Sequence, residues 1–238
     1  MSDLSGPART NYVQATFARI AGRYDLLNRL MTLGQDVIWR RQTVHRLSPP
    51  PGHRTLDLGA GTGDLSAEVL RQQPHGRVIA VDITPEMIRV GKRQHSNSNI
   101  DWVIADGAEL PFDSQTFSGV VSGFLLRNVS PLEKTLREQR RVLALGGAWA
   151  TLDTTRPKKN VLRPLLSFYL KVIIPILGRW IARQPKAYTY LSESTLAFLS
   201  AEELAQRVEE AGISNVAFTR RMFGTIAIHW GLRTSSKA

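Results

Sequence analysis

The sequence predicts an α/β fold: a doubly wound, mostly parallel seven-stranded sheet with N-terminal helices before it and a terminal antiparallel hairpin. From residue 54 onward, apolar runs of strand length alternate with helical patterns. A glycine-rich loop, GAGTG at residues 59–63, separates the first of these runs from its helix. Strands that alternate with helices form parallel sheets, because each helix carries the chain back to the same edge of the sheet.

The predicted elements follow in order along the chain. Residues 10–47 carry apolar residues at helical spacing and predict helices that precede the sheet. Five strands are predicted at RTLDL, RVIAVD, DWVIA, FSGVVSG and AWATLD, and three helices at DLSAEVLRQQ, TPEMIRVGKRQ and Leu132–Leu145. SAEE, residues 200–203, is a capping box that opens a further helix. NVAFTRR and GTIAIHWGL then predict the terminal hairpin.

Composition excludes several classes of protein. The chain has 238 residues and no cysteine, which excludes disulfides, thiolate metal sites and cysteine nucleophiles. Its polar N-terminus lacks the apolar run of a signal peptide, and no stretch has the length and apolarity of a membrane span. The five histidines are scattered, so we predict no metal site. We expect a single domain over residues 1–238 and a cytoplasmic location.

The charge predicts an anionic partner. The formal net charge is +11 and the sequence pI is about 10.5. No acidic residue lies between Asp153 and Glu193, a segment that is also rich in large apolar side chains. Its basic residues are Arg156, Lys158, Lys159, Arg163, Lys171, Arg179, Arg183 and Lys186. This combination predicts peripheral docking on an anionic membrane surface, while packing on the sheet or a homodimer interface remain alternatives.

Four aspartates stand around the glycine loop or at strand ends. Asp57 precedes the loop, Asp64 follows it, Asp82 ends the second predicted strand and Asp106 follows the third. Parallel sheets bind nucleotides at the carboxyl ends of their strands, and glycine lets the backbone approach a ligand closely. Carboxylates beside the loop would repel a pyrophosphate, but they suit the ammonium and sulfonium groups of S-adenosylmethionine. Alternatively, the glycines form a tight turn and the aspartates cap helices.

Several stretches carry a resemblance to a known family. Residues 54–155 resemble the cofactor-binding core of a class I methyltransferase. FARIAGRYDLLNRLMTLGQDVIWRR and LLRNV, at residues 17–41 and 125–129, resemble the two signatures of the ubiquinone/menaquinone biosynthesis C-methyltransferases. Residues 188–213 and the final GTIAIHWG resemble the C-terminal half of that family. The resemblance implies methylation of a ring carbon on a polyprenyl benzoquinol or naphthoquinol, with S-adenosylmethionine as methyl donor.

The resemblance also implies the cofactor contacts of Thr62, Asp82, Asp106 and Gly107. The full predicted cofactor site is Asp57, Gly59, Gly61, Thr62, Gly63, Asp82, Ile83, Asp106, Gly107 and Ser122. The chain departs from the family's usual pattern at Leu125, where glycine is usual. It departs again at Gly123, where many members place a cofactor-contacting serine, although Ser122 is adjacent. Both departures concern the shape of the substrate pocket.

Four residues are predicted to act on the acceptor. Arg127 would stabilise a developing phenolate, and Asn128 would orient the ring through a hydrogen bond. Tyr24 or Asp25, or a water held by Arg127, would remove the ring proton. The structural alternatives are that Arg127 and Asn128 cap the following helix, and that Tyr24 and Asp25 serve in packing and helix capping.

Two other functions remain open from the sequence. One is methylation of a different small aromatic metabolite, and the other is methylation of RNA, which the positive charge permits. Because the basic residues alternate with large aliphatic side chains, no nucleic-acid partner is expected. We divide the chain into an N-terminal helical lid (10–47), a cofactor-binding core (54–155), a basic apolar substrate or membrane segment (156–190) and a C-terminal helix with hairpin (191–238).

Overall fold

The computed structural model describes residues 6–47, 53–156, 194–195 and 197–235. They contain one seven-stranded sheet in the order β3-β2-β1-β4-β5-β7-β6. The strands are β1 (Arg54–Leu58), β2 (Arg77–Asp82), β3 (Ile100–Ile104), β4 (Phe117–Gly123), β5 (Leu143–Thr154), β6 (Ser214–Arg221) and β7 (Ile226–Leu232). Neighbours among β1–β5 pair in parallel, whereas β7 pairs antiparallel with both β5 and β6. The predicted fold class is confirmed, including the terminal hairpin.

Helices precede the sheet and alternate with its strands. They are α1 (Gly6–Ile20), α2 (Tyr24–Met31), α3 (Gln35–Leu47), α4 (Asp64–Gln72), α5 (Pro85–Gln94), α6 (Leu132–Val142) and α7 (Ala201–Glu210). The predicted capping box opens α7: Ser200 Oγ accepts from the Glu203 amide at 3.2 Å, and the Glu203 carboxylate accepts from the Ser200 amide at 2.7 Å. Among the described helices, none has the length and apolarity needed to cross a bilayer.

One predicted boundary is wrong. The helix predicted over Leu132–Leu145 ends at Val142, and β5 begins at the next residue, Leu143, which pairs with Phe117 of β4. The two glycines predicted to close the helix lie inside β5, where a Cβ on Gly147 would come within 2.8 Å of a backbone oxygen. The short apolar run at this junction suits helix and strand equally, and the pairing with β4 decides between them.

The sheet buries an apolar layer on each face. On one face, strand residues such as Leu56 and Trp149 pack with α6 and α7. On the other face, α3 and α4 pack against strand residues such as Val121 and Ala150. Because successive side chains of a strand point to opposite faces, neighbouring residues of β4 and β5 belong to different layers.

A buried ion cluster joins the N-terminal helices to the start of α4. Arg40 of α3 is buried and pairs with the fully buried Asp36, and it lies 3.3 Å from Asp64. Arg29 of α2 lies 3.4 Å from the same Asp64 oxygen, and Thr32 Oγ1 donates to Asp36 at 2.9 Å. Burial opposes the charge of Arg40, but attraction by Asp64 and Asp36 leaves its pKa above the usual value. The cluster thus fixes α2 and α3 beside the glycine loop.

Replacement of Arg40 by methionine should lower the free energy of unfolding by about 3–5 kcal/mol, because Asp36 would be left buried without its main counter-charge. The matched control is Arg41→Met, a neighbour on the same helix that is exposed; it should change stability by less than about 0.5 kcal/mol. Urea unfolding followed by tryptophan fluorescence measures both. Equal effects of the two substitutions would show that the cluster does not hold the helices.

Candidate active site

A cavity lies at the carboxyl ends of the parallel strands, beneath α1 and the start of α2. It is an open cleft with about 810 Å³ of non-atom space, which includes the solvent at its mouth. Its walls come from α1, the glycine loop, the loops after β2, β3 and β4, and the segment before α6. This is the edge at which an open parallel sheet binds ligands. Of the predicted site residues, Tyr24, Gly59, Gly61, Asp82, Ile83, Asp106, Gly107 and Asn128 line it.

The glycine loop needs glycine at each of its three positions. Gly59, Gly61 and Gly63 have φ values of +69°, +58° and +92°, in the left-handed region that L side chains rarely adopt. A Cβ on Gly59 would lie 2.6 Å from the Leu125 side chain, and one on Gly63 would lie 2.6 Å from Trp102. The sequence pattern is therefore explained both by backbone conformation and by close packing around the loop.

Asp82 holds the glycine loop at the end of β2. Its carboxylate accepts a hydrogen bond from the Gly61 amide at 2.8 Å and another from the Thr84 amide at 2.8 Å. Burial raises the pKa of Asp82, and the hydrogen bonds from Thr84 and Gly61 oppose that rise. The same carboxylate lines the cavity. Asp82 therefore holds the glycine loop by hydrogen bonds and also presents its carboxylate to the cavity.

Asp57 lies behind the loop, fully buried in β1. Its Oδ2 accepts from Ser66 Oγ at 2.6 Å, whereas Oδ1 is buried with no hydrogen-bond partner among the described residues. Burial raises its pKa to about 7, while the bond from Ser66 lowers it and the nearby charge of Asp82 adds to the rise. Asp57 is not part of the cavity lining. It therefore acts on a ligand only through the loop or through its charge.

The loops after β2 and β3 form the other side of the cavity. Asp106 is exposed, and its carboxylate accepts from the Ala108 amide at 2.8 Å within its own turn. Gly107 packs over Leu58: a Cβ on Gly107 would lie 3.4 Å from the Leu58 side chain. The Ile83 carbonyl accepts from Gln14 of α1 at 3.0 Å. The structure thus brings the predicted residues of both loops to the same cavity.

The N-terminal helices are tied over the cavity by side-chain bonds. Thr62 Oγ1 of the glycine loop donates to the Asp25 carboxylate at 2.5 Å, and Gln94 of α5 donates to the other Asp25 oxygen at 3.2 Å. Arg9 of α1 donates to the Arg127 carbonyl at 2.7 Å. Thr62 itself is buried and does not line the cavity. Asp25 therefore links α2 to the glycine loop through a hydrogen bond.

Arg127 is buried and pairs with Asp153 at the end of β5. Its Nη1 lies 2.6 Å from Asp153 Oδ1, and its amide donates to Asp153 Oδ2 at 3.3 Å. Arg127 does not line the cavity, but its guanidinium lies 5.4 Å from the centre of the Phe124 ring, which does. Arg40 lies 6.0 Å from the same ring. Two arginines therefore stand behind one aromatic wall of the cavity.

Asn128 and Tyr24 face the cavity together. Asn128 Nδ2 donates to the Phe124 carbonyl at 3.0 Å. The Tyr24 ring meets Phe17 of α1 edge to face, with centres 5.7 Å apart. Burial raises the pKa of Tyr24, although Asn28 and the charges of Arg127 and Arg40 lower it in part. A neutral Tyr24 hydroxyl is therefore available as a hydrogen-bond donor.

Ser122, which was predicted to be part of the cofactor site, is held inside the sheet. Its side chain is fully buried in β4, and its hydroxyl forms a 2.9 Å hydrogen bond with Thr151 of β5. It is not part of the cavity lining. Gly123, the next residue, lines the cavity instead, because alternate residues of a strand point to opposite faces.

Sequence reasoning missed several residues of the site. Asp153 is the last but one residue of β5, and Asp82 is the last residue of β2; this shared position near the carboxyl end of a strand was the signal that could have identified Asp153. Phe124 has a φ of +56°, which no sequence pattern announces for an aromatic residue. Gln14 and Arg9 bond to the loops from α1. Their roles depend on how α1 crosses the cavity.

Comparison with known proteins gives concordant matches. The model of the ubiE/COQ5 methyltransferase family matches residues 6–233. The chain is 44% identical to a ubiquinone/menaquinone biosynthesis C-methyltransferase of Desulfotalea psychrophila over 93% of this chain and 90% of that protein. It is 39% identical to a demethylmenaquinone methyltransferase of Roseiflexus castenholzii over 94% of each. A solved SAM-dependent methyltransferase from Thermotoga maritima shares the fold, with a TM-score of 0.65, 17% identity, and coverage of 93% and 100%.

Replacement of Asp57 by asparagine should reduce the pH dependence of stability between about pH 4 and 7. The pKa of Asp57 rises from 3.8 to about 7 on folding. The folded chain therefore holds a proton that the unfolded chain has lost, and its free energy of unfolding falls as the pH rises. Asp57→Asn removes this fall, which urea unfolding at a series of pH values measures.

The matched control is His229→Gln. Burial lowers the pKa of His229 from 6.5 to about 4, so this residue makes stability rise with pH over the range in which Asp57 makes it fall. Loss of His229 should therefore make the decline steeper, opposite in sign to the effect of Asp57→Asn. A pH slope unchanged by Asp57→Asn would show that this carboxyl ionises normally.

Proposed function

Because the chain belongs to the ubiE/COQ5 methyltransferase family, we propose that it transfers a methyl group from S-adenosylmethionine to a ring carbon of a polyprenyl quinol. The observation that carries the proposal is a single cavity that is lined by both kinds of residue the reaction needs. We assign the glycine loop and Asp82 to a cofactor end, and the aromatic side chains with Asn128 to an acceptor end. The names of the two relatives cover both a benzoquinol and a naphthoquinol ring.

The residues at the first end fit S-adenosylmethionine. Gly59 and Gly61 let the backbone approach the ligand, the Asp82 carboxylate suits the ribose hydroxyls, and Asp106 with Gly107 suits the adenine edge. Burial disfavours the charged forms of Asp57 and Asp82 and so raises the pKa of both carboxyls. A ligand that brings positive charge would stabilise those charged forms. When bound, the cofactor supplies a methyl group already activated by its sulfonium. Thr62, Gly63, Ile83 and Ser122 support the loop or the strand ends around it.

The residues at the second end suit a flat aromatic acceptor. Phe17, Tyr24, Phe124 and Leu125 supply apolar and aromatic walls, and Asn128 supplies a polar group beside them. The main contribution that we assign to this end is the alignment of acceptor and donor. Good orientation of two reactants can lower the activation free energy by on the order of 7–11 kcal/mol. Leu125 lies directly over Gly59. It therefore limits how far the ring can approach the loop.

We assign proton transfer, ring orientation and charge stabilisation to the four residues that were predicted to act on the acceptor: Tyr24, Asp25, Arg127 and Asn128. A neutral Tyr24 hydroxyl can donate to a quinol oxygen, and Asn128 can orient the same ring. Asp25, the carboxylate proposed as a base, must first give up its bonds from Thr62 and Gln94. Arg127 reaches the ring through its positive field across Phe124, since its guanidinium is bonded to Asp153.

The proposed substrate also suggests where the enzyme works. A polyprenyl tail holds a quinol in the bilayer, so we propose a cytoplasmic protein that docks peripherally on an anionic membrane. The basic apolar segment predicted for this docking, residues 156–190, lies outside the described residues except for Arg156. A homodimer is the alternative use of that segment. The division into lid, core, basic segment and C-terminal part within one domain remains part of the proposal.

The purified protein should methylate a short-tailed demethylnaphthoquinol or benzoquinol, which mass spectrometry detects as a product heavier by one methylene.

Asp82→Ala should weaken S-adenosylmethionine binding by roughly one to two orders of magnitude, because a charge-assisted hydrogen bond contributes about 1.5–3 kcal/mol. Calorimetry measures this affinity, and thermal unfolding checks that the loop remains folded. No product from either quinol would contradict the proposed substrate, and unchanged affinity would contradict the cofactor site.

Replacement of Arg127 by alanine should lower turnover far more than cofactor affinity, because its field acts mainly on charge that develops on the ring. Arg127→Lys keeps the charge but loses the planar fork, and should retain part of the turnover. Asp153→Asn is the matched control: it also breaks the buried pair but leaves the positive charge in place. If Arg127→Ala and Asp153→Asn lower turnover equally, Arg127 serves only to hold the loop.

A further inference from the structure

The exposed side of α3 combines apolar and basic side chains that the proposed chemistry does not use. Trp39, Arg40 and Val44 of this helix are buried. On its opposite side, Val37 and Ile38 are 44% and 54% exposed, and the next turns expose arginines. We call this surface the α3 face and define it by its arginines, Arg41, Arg46, Arg71 and Arg221, and by its exposed apolar residues, Leu33, Val37, Ile38 and Phe223.

The basic half of the α3 face is a groove between α3, α4 and the hairpin. Arg41, Arg46, Arg71 and Arg221 line it. Arg221 of β6 donates to Gln42 at 3.0 Å, which brings the hairpin against α3. The guanidinium of Arg46 lies 4.0 Å from the centre of the Trp230 ring. Four guanidinium groups are thus gathered along one surface.

Few carboxylates offset this charge within the described residues. Asp36, the acidic residue of α3, is buried with Arg40, and β6 contains no acidic residue. Glu68 is the acidic neighbour in α4, and its carboxylate is engaged by Arg71 and Gln72. The groove therefore keeps a net positive charge, which attracts an anionic surface.

The apolar half lies beside it, at the start of α3. Leu33 in the turn between α2 and α3 is 80% exposed, and Phe223 at the tip of the hairpin is 68% exposed. Met222 packs against the cluster that contains Trp39, so the hairpin tip lies next to α3. The apolar side chains continue along α2 through Leu26 and Leu30. Large apolar residues next to a basic groove are typical of surfaces that lie in a membrane interface.

We propose that the α3 face docks on an anionic lipid bilayer, with its arginines at the head groups and its apolar side chains below them. An RNA partner is less well matched, because exposed leucine, valine and isoleucine offer neither stacking nor hydrogen bonds to bases. The inference deepens the proposed function and rests on a substrate with a membrane-held tail. Since α2 also carries Tyr24 of the cavity, docking through this face places the lid against the bilayer.

Co-sedimentation with vesicles tests the proposal. Wild type is expected to bind vesicles of equal parts phosphatidylcholine and phosphatidylglycerol, and to bind pure phosphatidylcholine much more weakly. Arg41→Gln with Arg46→Gln should weaken binding to the anionic vesicles roughly 25-fold, at about fivefold for each arginine. Ile38→Ser with Phe223→Asn should reduce the binding that persists at high salt. The matched control is Arg137→Gln, an exposed arginine of α6 on the other face of the sheet.

Several outcomes would overturn the proposal. These are unchanged vesicle binding by the double arginine variant, an equal loss in Arg137→Gln, or wild type that binds an RNA oligonucleotide but not anionic vesicles. A further arm reverses the charges at Lys158, Lys159 and Arg163. If this alone abolishes vesicle binding and the Arg41/Arg46 variant binds normally, docking runs through that segment instead.

Methyl transfer to a short-tailed soluble quinol is measured on the same samples. It should stay near wild type in the Arg41/Arg46 variant, because neither residue lines the cavity, and thermal unfolding confirms that the variant is folded. Wild type that methylates the soluble quinol but ignores anionic vesicles would refute docking and leave the proposed function standing. Absence of methyl transfer with vesicle binding intact would refute the proposed function alone.

Discussion

The parallel pairing of β1 with β2 on one side and β4 on the other is the constraint on which the site depends. It brings the loops that follow these strands to one edge of the sheet. Asp82 then fixes the distance between two of them, because its carboxylate bonds both the Gly61 and the Thr84 amides. Because Asp82 of β2 holds the glycine loop, the glycines need only adopt the left-handed backbone conformation and leave room for a ligand close to the backbone. The proposed cofactor end of the cavity therefore depends mainly on the sheet.

The proposed acceptor end has a different physical origin, because it depends on the N-terminal helices. α1 and α2 complete the cavity wall, and the bonds of Asp25, Gln14 and Arg9 hold them to three separate loops. The buried Arg40 cluster anchors the following helix beside the same glycine loop. These bonds cross from one part of the chain to another over a ligand cavity. Entry of a ligand must therefore break or bypass some of them.

Electrostatics distinguishes the two ends that we propose for the cavity. Near the glycine loop, burial disfavours the charged forms of Asp57 and Asp82 and raises their pKa, and a ligand with positive charge would stabilise those charged forms. Behind Phe124 stand Arg40 and Arg127, whose field favours negative charge on an acceptor. A reaction that moves a methyl cation equivalent from a sulfonium to an electron-rich ring suits this polarity. Positive charge also gathers outside the cavity, in the basic groove of the α3 face.

The sequence by itself determined the fold class, the glycine loop and the strand-end aspartates, because these follow from local rules: hydrophobic period, backbone conformation and the position of a residue at a strand end. The resemblance in its two signatures was sufficient to identify the family. Only the tertiary structure decided that Ser122 bonds Thr151, that Arg127 pairs with Asp153, and that α6 ends at Val142. Each of these depends on a partner far away in the chain or on strand pairing, and single-sequence patterns carry no record of which side chains meet across a sheet.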